Sequence, residues 1–116
     1  MSTEDAYDIG VAVENTWCVV AVRRNGSERV FGPWQTNADS PHAAAVVGVL
    51  RALSMPLAHP RRIHLRQTSA IKAVERDHAQ RIADARASLH WSSYRAPDGE
   101  HEALVRAVMC LEMVQS

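Results

Sequence analysis

Seven bases fall between Arg61 and Arg86: Arg61, Arg62, Arg66, Lys72, Arg76, Arg81 and Arg86. Only Glu75, Asp77 and Asp84 oppose them there. A stretch of this kind can attract phosphate even though the chain's formal net charge is zero. Lys72 and Arg76 are four residues apart, which puts them on one face of a helix. Arg66 leads into that helix. Arg61 and Arg62 precede the strand that feeds this helix, so they belong to its opposite end and form a separate patch. Arg61, Arg62, Arg66, Lys72 and Arg76 are the candidate phosphate contacts. The alternative is a solvated helix face whose charges partly cancel.

Trp34 stands between Pro33 and Gln35 in a β-rich run. Proline cannot donate to a strand ladder, so this run belongs at a sheet edge. An exposed aromatic at an edge could stack a base or anchor a protein partner. Other chemistry is thin. The glycines are isolated, so there is no phosphate-cradling loop, and no Cys/His cluster has zinc spacing. His59 and His64 flank the Pro60-Arg61-Arg62 segment without making a recognisable ligand set. No Ser-His-acid arrangement stands out.

The elements that must position these residues follow from periodicity. Tyr7, Ile9, Val11 and Val13 alternate with smaller or polar residues, which predicts a strand. A second strand spans Trp17 to Arg24. Asn25-Gly26 predicts a type I′ turn, because both central positions need positive φ. A third strand runs from about Glu28 to Gln35. Ser40 can cap a helix that Pro41 opens and that ends near Leu53 or Ser54. Its apolar face is Val46, Val47, Val49, Leu50 and Leu53. A fourth strand covers Arg62 to Gln67. One helix from Thr68 or Ser69 carries Ile71, Val74, His78, Ile82 and Ala85. A fifth strand spans Leu89 to Tyr94, and a last helix spans about Glu100 to Val114. Trp17 and Trp91 are expected in the core.

The 116 residues suit one domain, with residues 1–5 as a loose tail and 6–116 as the folded unit. The 47% hydrophobic content can fill a core, and 22% charge argues against disorder. No apolar run reaches bilayer length, and Met1 to Asp8 lacks the pattern of a secretory signal. A cytoplasmic location is the expectation, with no membrane partner. Cys18 and Cys110 are read as reduced core residues.

The order β-β-β-α-β-α-β-α resembles the ribonuclease H family over about Ala6 to Val114. Local text fits as well: Thr36-Asn37-Ala38-Asp39 before the first helix, Gln67-Thr68-Ser69 after the fourth strand, and Trp91, Tyr94 and Arg95 near the last strand. The resemblance implies an α/β fold with a mixed five-stranded sheet and helices on its faces. It places strand 3 at an edge and strands 1 and 4 side by side. It also implies a carboxylate cluster holding two divalent ions. The matching positions here are Asp8 (with Glu14 as a rival), His42, Gln67 and Glu102. Two of these four are neutral, so a two-Mg²⁺ site would be poorly neutralised.

Three functions remain open from sequence. The first is a catalytically degenerate binding module, foremost for nucleic acid. The second is an adaptor using the sheet edge and Trp34 on a protein. The third is a metal-dependent nuclease, and only this one calls for Mg or Mn. Otherwise no cofactor is expected.

Overall fold

The computed structural model describes residues 6–92 and 107–108. The elements are β1 (Tyr7–Glu14), β2 (Trp17–Arg24), β3 (Ser27–Gln35), α1 (Pro41–Ser54), β4 (Arg61–Leu65), α2 (Thr68–Asp77), α3 (Ala79–Asp84) and β5 (Ala87–Trp91). The strands form one mixed sheet in the order β3-β2-β1-β4-β5. β3 is therefore an edge strand, as Pro33 predicts, and β1 lies beside β4, as the resemblance implies. β1, β2 and β3 pair antiparallel, whereas β4 pairs parallel with both β1 and β5.

Two tight turns build the meander. Asn25 and Gly26 have φ of 51° and 82°, the positive pair that a type I′ turn requires. At the other end, Glu14 pairs with Trp17 across a two-residue turn in which Asn15 has φ 55°. The sheet thus has a 25–26 end, where β1, β4 and β5 start, and a 15–16 end, where they finish.

α1 begins at the 15–16 end. Ser40 is extended, and its hydroxyl accepts from Ala43 N at 3.1 Å. The helix buries Ala44, Ala45, Gly48, Val49, Ala52 and Leu53. This stripe of small residues lets its backbone lie close to the sheet, over Ile9, Val11, Cys18, Val20 and Ile63. Val47, expected on the apolar face, is exposed. The stripe is centred on Gly48 rather than on the valines, which turns Val47 outward. A smaller cluster on the opposite face joins Ala12, Val19 and Ala21 to Ala107 and Val108, which are helical. The remainder of the expected last helix, with Cys110, and the expected tail at residues 1–5 lie outside the described residues.

Three further expectations need correction. The fourth strand ends at Leu65, and Gln67 serves as the N-cap position of α2. The second helix is two helices, because His78 leaves helical geometry at φ −132° and ψ 31°. The apolar period survives this break, since Ile71, Val74, Ile82 and Ala85 still pack on one core, and periodicity does not register a single altered dihedral. Trp91 is 59% exposed rather than core. It closes β5, an edge strand flanked only by β4, where nothing among the described residues covers a large ring. Among the described residues, no helix is long and apolar enough to cross a membrane.

Cys18 is a free, fully buried thiol. Burial pushes its pKa from 9.0 up to about 12, against the opposing pull of the Arg51 charge. A pKa raised on folding means the folded state holds this proton more tightly than the unfolded chain. The resulting stability is complete below pH 9.0 and is lost as pH rises toward about 12. Denaturant titrations across that window should show a steeper alkaline loss for the wild type than for Cys18→Ala. Parallel curves would contradict the assignment.

Candidate functional site

Asp8 lies in β1 opposite Arg62 of β4 and opposite Arg23 of β2. Its side chain shares the face of Gly10 and Ala12, the face turned away from α1. Arg62 grips it with two contacts: Nε lies 3.0 Å from Oδ1, and Nη2 donates to Oδ2 at 3.1 Å. His64, two residues along the same face and almost fully buried, places Nε2 3.3 Å from Oδ1. The His64 ring stacks on His90 of β5 with centroids 5.4 Å apart. Asp8 is thus engaged by Arg62 and His64 of its own sheet.

His42 stands on the first turn of α1 at the 15–16 end, with Nδ1 2.8 Å from Ser69 Oγ of α2. Gln67 is two residues before Ser69, so the fold brings His42 and Gln67 to one end. Asp8 is at the other end and on the other face. Gln67 follows Arg62 by five residues, about 16 Å at the rise of a strand. Glu14 is exposed at the end of β1, with the same parity as Asp8. Glu102 lies outside the described residues. Asp8, His42 and Gln67 are therefore not brought together. Among the described residues no group of three or more His, Cys, Asp or Glu could hold a metal ion.

The basic candidates separate in the same way. Arg61 is 4% exposed, and its guanidinium is consumed internally. Nη1 donates to the carbonyls of Ala52 at 2.8 Å, Leu53 at 3.4 Å and Met55 at 3.0 Å, and Nη2 donates to Leu57 at 3.2 Å. The carbonyls of Ala52 and Leu53 belong to the last turn of α1 and those of Met55 and Leu57 to the segment after it, so the side chain caps α1 and fastens the loop that follows. Burial lowers the Arg61 pKa from its ordinary value, yet arginine remains protonated. As a phosphate contact Arg61 is ruled out by this burial. Arg62 is committed to Asp8. Arg76 is exposed and bonded to Asp77 through Nε at 2.9 Å and Nη2 at 3.0 Å. Arg66 and Lys72 are exposed. Arg66 lies at the 15–16 end, just past β4, and Lys72 follows on α2, so neither shares a patch with Arg61 or Arg62.

Sequence reasoning missed where the arginines gather. Six that stay half-buried or exposed lie toward the 25–26 end: Arg23, Arg24, Arg29, Arg62, Arg81 and Arg86, while Arg51 reaches from α1 to Trp34 farther along the sheet. The register sets Arg23 against Glu28 and Arg24 against Ser27. Arg81 donates to Ser54 at the end of α1, and Arg86 donates to the Ala58 carbonyl at 2.7 Å. Among the described residues the acids of this end are Asp8, Glu28 and Asp84, so positive charge is in excess among them.

On the α1 side, this end opens into a groove of about 990 Å³ between the β2–β3 hairpin and the end of α1. Tyr7, Val22, Phe31, Leu50, Met55 and Leu57 supply its apolar surface, while Arg24, Arg29 and Arg51 flank it. Glu28 also borders it. Trp34 is half-buried rather than exposed, and the Arg51 guanidinium lies 5.3 Å over its ring. That contact takes Trp34 out of consideration as a bare edge anchor. No protein-family model and no curated protein matches the chain.

Proposed function

We propose that this chain is a ribonuclease H-like binding module for nucleic acid, in which the described residues do not assemble the carboxylates that phosphodiester cleavage needs. The strand order β3-β2-β1-β4-β5, with β1 parallel to β4, supports the fold reading. The gathering of six surface arginines at the 25–26 end carries the functional reading. Guanidinium groups clustered on one end of a chain of zero formal charge create a local positive field, and phosphate is its natural counterpart. The contact surface is thereby moved from Arg66 and Lys72 to the hairpin end.

Anisotropy titrations of labelled single-stranded, duplex and hybrid oligonucleotides test the proposal, with cleavage scored in Mg²⁺ and Mn²⁺. Binding at low salt without cleavage is expected. Absence of binding at low salt, or cleavage that disappears in Asp8→Asn, contradicts it. A second reading rests on Trp91, whose exposure on the β5 edge offers an aromatic anchor to a protein.

A further inference from the structure

We propose that the groove between the β2–β3 hairpin and α1 is a nucleotide site, in which one base enters the apolar interior and its phosphate rests on Arg29 and Arg51. The inference deepens the nucleic-acid reading and rests on it for the source of the nucleotide, a single strand.

Parity of the strands builds the site. Arg29 lies opposite Val22, and Phe31 lies opposite Val20, so both project to the α1 side of the sheet. α1 ends over the same region, which brings Arg51 and the following Met55 to the facing wall. Tyr7 closes the groove from β1, its ring already covered by the Arg24 guanidinium at 5.5 Å. The volume, about 990 Å³, lies at the upper end of the range for small-molecule sites.

The chemistry selects the ligand. Among the described residues, Arg29 and Arg51 have no carboxylate partner, and Arg51 is held instead by the face of Trp34. A ring face orients a guanidinium without cancelling its charge. Two such cations flanking one groove call for an anion. An anion alone would not use the half-buried Phe31, Tyr7 and Met55 beneath them. A planar ring joined to a phosphate uses both parts, as when bases stack on aromatic side chains along a positively charged groove. A duplex keeps its bases stacked internally, so the groove favours an unpaired strand.

The test uses the full chain. A short labelled single strand is titrated by anisotropy, and adenosine monophosphate by calorimetry, against wild type, Arg29→Ala/Arg51→Ala and Phe31→Leu. Arg66→Ala/Lys72→Ala is the control at a distance from the groove, and circular dichroism confirms that each variant folds. The aromatic variant should weaken strand binding about tenfold, the usual effect of losing one stacking platform. The arginine pair should weaken it further, and the control should match wild type. Binding of the strand that is indifferent to both groove variants overturns the nucleotide site but leaves the nucleic-acid reading intact. Equal affinity for an oligoglutamate of matched length also overturns it, because charge alone would then suffice. If the mononucleotide binds in a groove-dependent way and the strand does not, the groove assignment holds and the nucleic-acid reading fails. If neither binds at low salt, both fail.

Discussion

Replacing Arg61 by methionine should destabilise the protein by about 3–5 kcal/mol, among the largest effects of any single substitution. Methionine keeps much of the side-chain volume but none of the donors. The carbonyls of Ala52, Leu53, Met55 and Leu57 would lose a charged hydrogen-bonding partner. The favourable interaction of a cation with the C-terminal end of α1 would go as well. Arg61→Lys should fall between wild type and methionine, since a single ammonium cannot reproduce the planar fork. Urea midpoints at constant m-value give the comparison. A loss below about 0.5 kcal/mol, as for an ordinary surface position, would contradict the capping role and reopen Arg61 as a ligand contact.

Gly48→Ala should also destabilise, although glycine to alanine within a helix normally stabilises by about 1 kcal/mol. A Cβ at this position would lie 2.6 Å from Cys18 Sγ and 2.6 Å from Val11 Cγ1. Both neighbours are fully buried in the sheet and cannot swing away. Overpacking of this kind costs about 1–3 kcal/mol, which outweighs the gain in helix propensity. Introducing Val11→Ala should recover part of the loss, because it removes one of the two collisions. The double-mutant cycle then yields a coupling energy of opposite sign to the single effect. If Gly48→Ala raises the unfolding midpoint, α1 does not approach the sheet as closely as described.

These two residues also show what the sequence could and could not convey. The meander and α1 were legible because their signals are local: Asn25-Gly26 needs only its own backbone, and Ser40-Pro41 needs only the first turn of the helix. Arginine ordinarily signals a surface, so nothing local distinguished Arg61, which is buried, from Arg62 beside it. The distinction depends on where α1 ends relative to β4. Asp8 read as a possible metal ligand because it sits in the first strand. Its engagement by Arg62 and His64 depends on the parallel register of β1 and β4, which is not written in either strand alone. The groove was hidden for the same reason, since its lining comes from residue 7, residues 22–31 and residues 50–57. Trp91 misled because edge position, rather than residue type, decides its exposure.

On the reading proposed above, the arginine-rich hairpin end binds nucleic acid through its phosphates. The most direct test is the salt dependence of single-strand binding for wild type and for Arg24→Ala/Arg29→Ala/Arg51→Ala. Each lost phosphate contact should reduce the log–log slope by roughly 0.7, so the triple variant should lose about two units. A slope that is unchanged in the triple variant, or that falls equally in Arg66→Ala/Lys72→Ala, would contradict the account.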